Sequence, residues 1–370
     1  MDNKTYIIAA GGTSGHINPA IAIADEIKKN EPGSRILFCG TAKGIENTIV
    51  PASHYELEHI DAMGFPTRPS RQLFKALAAF FRGRRQSREL LRKIRPDAVI
   101  GTGGYVCGPM VSMANSMRIP TLLHEQNAFP GKANRFLAKR ATVVCISFPN
   151  TRSAFSKAKK IVLTGNPVRA AFFHLTKENT RKELGIGPDE KILFATGGSL
   201  GARTINLSVM DLLKEHPDPG FRIILACGRL AYPELLEEAA KHPTCLDLKE
   251  YLFDQHLYLA SADVVLCRAG AITCSEIAIT GKASIMVPYP YAAGDHQTFN
   301  AKTFSDIGAS VLIADHDLNS ESLYEQATSL FSHPEQIAGM EKLAGTLAMP
   351  EAASLIYKEI NAMVQPKRTP

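Results

Sequence analysis

The stretch Cys267–Gln297, CRAGAITCSEIAITGKASIMVPYPYAAGDHQ, carries the densest set of residues suited to chemistry. Its turn, Arg268-Ala269-Gly270, is small enough to let a ligand close to the backbone, and it opens a segment of helical length, Ala271–Thr280. Free N–H groups and the positive end of the helix dipole favour a phosphate at such a start. Glu276 lies further along the same segment, where a carboxylate suits sugar hydroxyls. A polar loop then ends in Asp295-His296-Gln297. Near the N-terminus, Gly11-Gly12-Thr13-Ser14-Gly15-His16 forms a second glycine-rich turn. Its glycine spacing is not the dinucleotide fingerprint, and no P-loop Lys-Ser/Thr follows. His16 is its telling residue, because a glycine turn has no packing need for imidazole. A third group, His124-Glu125-Gln126-Asn127, admits two readings: a direct catalytic role, or a pair that hydrogen-bonds within its own loop.

The elements that must position these groups alternate strand and helix. Thr5–Ala10, Arg35–Cys39, Asp97–Gly101, Thr121–His124 and Ala141–Ile146 have the short apolar pattern of buried parallel strands. A helix is expected from about Pro19 to Lys29, with proline near its first turn and lysines near its end. The pattern restarts at Lys191–Ala195, followed by Thr196-Gly197-Gly198-Ser199-Leu200-Gly201-Ala202 and a helix from Arg203. Phe221–Ala226, Ala262–Leu266, Ser284–Val287 and Ser310–Ile313 supply further strands. Gly-Gly-Thr/Ser after the first strand of each half is an internal echo. It predicts an α/β chain of two doubly wound, Rossmann-like domains facing across a cleft, with ligands at the carboxyl ends of the strands. The hinge is placed at Gly165–Arg169, giving domains 1–164 and 165–349, with a closing helix at 350–364 that packs back on the first.

Length and composition agree. The 370 residues suffice for two cores, and 45% hydrophobic with 21% charged content is that of a globular protein. The seven cysteines form no CxxC pair and no cluster with histidine, which points away from zinc and from a disulfide framework and towards a reduced compartment. The first strand is too short for a signal peptide's apolar region, and no stretch approaches the roughly 20 apolar residues of a spanning helix. There is no DxD pair suited to a divalent ion on a nucleotide sugar, so leaving-group stabilisation falls to helix N-termini and backbone amides.

Taken together, GGTSGHINPA near the N-terminus, HEQNAFPGKANR at 124–135, GNPVR at 165–169, GGSLGA at 197–202 and the 267–297 stretch resemble the MurG family, in order and over almost the whole chain. The resemblance implies a GT-B fold, no metal and no cofactor. The activity it implies is inverting transfer of N-acetylglucosamine from UDP-N-acetylglucosamine to the 4-hydroxyl of the muramyl residue of undecaprenyl-diphospho-muramoyl-pentapeptide. Carried over by position, Thr13, Ser14 and Gly15 border the diphosphate and sugar, and Asn127 reaches the transferred sugar. Arg169 and Ser199 sit on the nucleotide side, and the backbone of Leu252 reads the uracil edge. Ala271, Ile272, Thr273, Cys274, Ser275 and Glu276 form the helix start, with Glu276 on the ribose hydroxyls, and Gln297 addresses the sugar. Ser14 and Leu200 depart from the family pattern, the first replacing a glycine and the second a polar residue.

Inversion needs one in-line attack with a base to take the hydroxyl proton. His16, with an ordinary pKa of about 6.5, is the first candidate and Glu125 the second. His16 acting instead as a cation towards the acceptor diphosphate stays open. Competing readings are another UDP-sugar transferase with a lipid acceptor, a UDP-N-acetylglucosamine 2-epimerase, and a non-catalytic nucleotide-sugar-binding protein. For partners, the segment from Arg68 to Arg95 holds ten basic residues (68, 71, 75, 82, 84, 85, 88, 92, 93 and 95) against one acid, Glu89. Leu73, Leu77, Phe80 and Phe81 share one helical stripe within it. Either the stripe packs on the core and the cations are simply solvated or attract nucleic acid, or the helix lies on anionic lipid. A lipid-linked acceptor favours the second, with peripheral binding at the cytoplasmic face of the membrane and no nucleic acid as partner.

Overall fold

The computed structural model describes residues 3–66, 71–198 and 200–365. The chain divides into two compact units, the first running to Arg169 and resuming at Met349, the second spanning Ala170–Ala348.

In the first unit, seven parallel strands form one sheet: β1 (Thr5–Ala10), β2 (Arg35–Gly40), β3 (Glu56–His59), β4 (Ala98–Gly103), β5 (Thr121–Glu125), β6 (Val143–Ile146) and β7 (Ile161–Leu163). Their order is β3-β2-β1-β4-β5-β6-β7. The central strands are buried along both faces, which is why Tyr6–Ala10 and Ala98–Gly103 read as unbroken apolar or small runs. The order reverses between β1 and β4, the switch point at whose carboxyl edge doubly wound sheets hold ligands.

The second unit repeats the plan with six parallel strands: β8 (Ile192–Thr196), β9 (Arg222–Ala226), β10 (Leu246–Lys249), β11 (Val264–Cys267), β12 (Ala283–Met286) and β13 (Ser310–Leu312). The order is β10-β9-β8-β11-β12-β13, which puts the reversal between β8 and β11. The two stretches the sequence singles out in this half, 197–202 and 268–276, follow those two strands.

The unit boundary falls after Arg169 rather than before Gly165. His124 Nε2 donates to Gly165 O at 3.0 Å, Asn166 Nδ2 to Gln126 O at 3.1 Å, and Ser147 Oγ to Asn166 Oδ1 at 2.7 Å, and these bonds hold 165 and 166 to the first sheet. The last helix, Ala352–Val364, packs on the first unit through Ile356 and Ile360, both wholly buried. Glu31 fastens it, accepting from Lys4 Nζ at 2.8 Å, Tyr6 OH at 2.9 Å and Tyr357 OH at 3.1 Å.

The helix after β1 runs Ser14–Asn30 and so begins five residues before Pro19. Thr13 is extended and its carbonyl accepts from His16 N and Ile17 N at 3.1 and 3.2 Å. His16 therefore lies in the first helical turn and not at the tip of a loop. Pro19 therefore lies inside the helix, where it has no N–H to donate to the carbonyl of Gly15 four residues back.

Candidate active site

In the first unit the turns after β1 and β4 meet backbone to backbone. Gly104 has φ +82°, and a Cβ there would lie 2.1 Å from Gly11 O, so only glycine lets the turns touch. Beneath them sits Glu46, wholly buried. Its Oε2 accepts from Gly12 N at 3.0 Å, and its Oε1 accepts from Thr41 N at 2.9 Å and Thr41 Oγ1 at 2.8 Å. Burial pushes this carboxyl up, but the bonds from Gly12 and Thr41 outweigh it and hold it below the ordinary carboxylate range. Cβ atoms at Gly11, Gly40 and Gly44 would fall within 2.8 Å of its side chain, so these glycines make room for a carboxylate. Glu46 escapes sequence reasoning because its isolated acid looks like surface. The signal was the glycine at 44 beside it and the glycine-rich strand end at 40.

His16 is half-buried beside this turn, and its Nδ1 lies 3.3 Å from Gln126 Oε1. Thr102 Oγ1 donates to His16 O at 2.9 Å and fixes the helix start to the end of β4. His124 is fully buried at the end of β5, and burial pushes its imidazole down to about 4, so it is neutral at physiological pH. Glu125 is 2% exposed and spends its carboxylate on its own loop, accepting from Asn127 N, Gly131 N and Asn134 Nδ2 at 3.1, 3.2 and 2.9 Å, with Asn127 Nδ2 at 3.3 Å. Glu125 thus bonds within its own loop, while His124 reaches Gly165 O outside it. Thr13 is exposed, Ser14, Gly15 and Asn127 are half-buried, and all lie at this carboxyl edge. Arg169 is exposed at the end of the unit.

In the second unit the two loops beside the reversal are built by the same device. Gly201 has φ +74°, and a Cβ there would meet Cys227 O at 1.9 Å, so the turn after β8 lies directly on the end of β9. Ser199 lies outside the described residues; Leu200 is 77% exposed, which leaves its side chain out of any packing role. Gly270 is the extended N-cap of the helix Ala271–Thr280, and Gly281 ends it in the left-handed conformation at φ +58°. The first turn of this helix opens beside the end of β11, and a helix N-terminus favours negative charge. Ala271 and Cys274 are buried, Ile272, Thr273 and Ser275 half-buried. The Cys274 thiol is fully buried, and desolvation pushes it well above its ordinary range, so its side chain belongs to the core and only its backbone faces the helix start. Glu276 is 7% exposed.

Two further side chains shape this edge without having been singled out. Asn300 is fully buried, and its Nδ2 donates to Ala269 O at 3.0 Å, fixing the Arg268–Gly270 turn against the helix His296–Ser305. Arg268 pairs with Asp315 at 2.5 Å and donates to Val287 O at 3.1 Å. On the same edge, Gln297 Oε1 accepts from Tyr289 N at 2.9 Å. That bond spends the carbonyl side of the amide and turns its NH₂ away as a donor. Leu252 is half-buried in the loop after β10, flanked by exposed Tyr251 and Phe253. Among the described residues no group of three His, Cys, Asp or Glu is placed to hold a metal ion.

The helix Arg71–Ile94 buries Ala76, Ala79, Gly83, Ser87 and Leu91, so the core face is the small-residue one. Gly83 lies so close that a Cβ would meet Asp61 O at 2.0 Å. The apolar stripe is divided: Leu73 and Phe80 are half-buried, while Leu77 and Phe81 are exposed. Phe74, absent from the expected stripe, is the most exposed of the set at 75%. Arg71, Lys75, Arg82, Arg85, Arg88 and Arg92 are exposed around it, and Arg68 lies outside the described residues. No helix among the described residues is long and apolar enough to cross a membrane.

Residues 6–146 match the N-terminal domain model of glycosyltransferase family 28, and residues 192–356 its C-terminal domain model. The UDP-N-acetylglucosamine--N-acetylmuramyl-(pentapeptide) pyrophosphoryl-undecaprenol N-acetylglucosamine transferase of Acetivibrio thermocellus is 41% identical over 364 residues, covering 98% of each chain. That of Caldanaerobacter subterraneus subsp. tengcongensis is 41% identical over 97% of this chain and 99% of its own. Among solved structures, Acinetobacter baumannii MurG superposes with a TM-score of 0.79 at 29% identity, covering 97% of this chain and 99% of its own. The UDP-GlcNAc 2-epimerase of Neisseria meningitidis shares the fold alone, with a TM-score of 0.66 at 16% identity over 97% of this chain and all of its own.

Proposed function

The chain belongs to the MurG family within glycosyltransferase family 28, and from that premise we propose the following activity and site. The enzyme transfers N-acetylglucosamine from its UDP donor to the muramyl 4-hydroxyl of undecaprenyl-diphospho-muramoyl-pentapeptide. The observation that carries this is 41% identity along 98% of both chains to an enzyme named for that reaction. The epimerase likeness, at 16%, reaches only the fold.

The second unit takes the donor. The first turn of Ala271–Thr280 receives the diphosphate, Glu276 the ribose diol, the backbone at Leu252 the uracil edge, and the Gln297 amide the sugar; Arg169 and Ser199 lie on the nucleotide side. The first unit supplies Thr13, Ser14, Gly15 and Asn127 to the diphosphate and transferred sugar. His16 takes the proton of the acceptor hydroxyl as its oxygen bonds the anomeric carbon from the face opposite UDP. The bond to the diphosphate oxygen breaks, its electron pair leaves with UDP, and helix N–H groups stabilise that charge. Glu125 supports the reading through its four loop bonds, which orient Asn127, rather than as the base.

The acceptor's lipid stays in the bilayer, so the enzyme works at the cytoplasmic surface of the membrane. Phe74, Leu77 and Phe81, ringed by arginine and lysine, supply the docking face on anionic lipid. The deciding experiment incubates the purified protein with labelled UDP-N-acetylglucosamine and the lipid-linked muramyl-pentapeptide. Label in the lipid product supports the reading. Free N-acetylmannosamine, or donor binding without turnover, refutes it.

A further inference from the structure

We propose that Gln126 is a positioning residue that holds His16 in its Nδ1–H tautomer, so that Nε2 carries the lone pair that takes the acceptor proton. The proposal rests on His16 being the base. The hydrogen-bond network is read from its fixed ends inward. The carbonyls of Thr102 and Gly165 can only accept. Gln126 lies 2.6 Å from Thr102 O, so the amide nitrogen must be the atom facing it. The same nitrogen lies 3.0 Å from His124 Nδ1 and 3.3 Å from His124 O, and Nδ1 is the unprotonated ring atom because Nε2 faces the carbonyl of Gly165. His124 Nε2, 3.0 Å from Gly165 O, carries the proton, and the imidazole is neutral as its complete burial requires.

With the Gln126 nitrogen committed on one side, its Oε1 is the atom turned to His16 Nδ1 at 3.3 Å. An amide oxygen only accepts, so His16 Nδ1 is the donor. A neutral imidazole has one N–H, and the tautomer follows: the lone pair is on Nε2. Gln126 is 2% exposed, so water does not compete for this bond. The same buried amide therefore reads a backbone carbonyl, sets one histidine and, through its other end, sets the second. Gly103 closes the arrangement, since a Cβ there would sit 2.4 Å from His16 Nδ1 and displace the ring.

The test begins with the wild-type full-length protein labelled with ¹⁵N-histidine, in which ring nitrogen shifts separate a protonated from an unprotonated nitrogen. His16 should show a protonated Nδ1 and a bare Nε2, with His124 showing the reverse. Gln126→Met should release the His16 tautomer and lower kcat about tenfold or more, while UDP affinity and donor KM stay within about twofold. A wild-type His16 protonated on Nε2 overturns the proposal, even in an enzyme that loses turnover in His16→Ala. Full turnover in His16→Ala overturns the base reading, and the proposal with it. A Gln126→Met protein that loses stability and donor affinity in step, with His16 still Nδ1–H, overturns it too, since that is what a purely structural amide would do.

Discussion

Replacing Glu46 by glutamine changes one atom beneath the first glycine turn and tests whether that carboxylate holds it. Both oxygens of Glu46 are in use, Oε2 on Gly12 N and Oε1 on Thr41 N and Oγ1. Glutamine keeps the shape but must set an NH₂ against one of the two backbone donors. The less costly orientation keeps its oxygen on Thr41 and faces its NH₂ to Gly12 N–H, donor against donor. The variant thus loses one charge-assisted bond and weakens two others to neutral ones, a cost of about 2 to 4 kcal/mol. For a unit of this size each kcal/mol moves the midpoint by about 2 to 4 °C, so Glu46→Gln should melt about 5 to 15 °C lower at neutral pH.

The sign of the pH dependence follows from the same bonds. The folded carboxyl is held below its ordinary value, so its stabilisation is present above the unfolded pKa of about 4.3 and is lost as pH falls through the folded one. Calorimetry should therefore show the gap between wild type and variant closing in acid, as pH falls through the lowered folded value and the wild-type side chain takes up its proton. Turnover should fall as well, because the turn that Glu46 holds leads directly into the helix bearing His16. A variant that melts within about 1 °C of wild type at neutral pH would refute the reasoning. So would a gap that stays constant into acid.

Three further outcomes are expected. Glu276→Ala should weaken UDP binding by about 1.5 to 3 kcal/mol, with a smaller loss for the deoxyribose analogue in titration calorimetry; equal losses would show that it does not read the diol. Gly104→Ala places a methyl against Gly11 O and forces a left-handed φ on alanine, at about 1 to 2 kcal/mol for the φ alone. It should cut turnover while the second unit's affinity for UDP holds. Serine at Phe74, Leu77 and Phe81 should leave the melting temperature nearly unchanged, because these side chains face solvent, while reducing co-sedimentation with anionic liposomes. Unfolding of that variant would place the stripe in the core.

The central strands were legible because a parallel strand covered on both faces has nowhere to put a polar residue. Ile7, Val99, Leu193 and Val264 all fall in unbroken apolar runs. Three strands, Glu56–His59, Ile161–Leu163 and Leu246–Lys249, were not expected. All lie at sheet edges: Glu56–His59 and Leu246–Lys249 carry charged residues in place of an apolar run, and Ile161–Leu163 is apolar but only three residues long. The glycine turns were visible for the same reason in reverse, since glycine stands out. What each glycine is for was not. Gly12 carries an amide bonded to Glu46, Gly11 makes room for that acid, and Gly104 and Gly201 let one loop lie on another. Spacing along the chain records that backbone is close to something, and only the fold says whether that something is a ligand, a carboxylate or a second loop. The stripe on Arg71–Ile94 shows the converse. Helical period marked Leu73, Leu77, Phe80 and Phe81 as one face, yet the helix buries Ala76, Ala79 and Gly83, because Gly83 brings its backbone against Asp61 O. Close approach is achieved by small residues, so the large ones are left to the solvent side. The helix therefore turns Phe74, Leu77 and Phe81 to solvent among exposed arginines and lysine, which is the surface the liposome measurement probes.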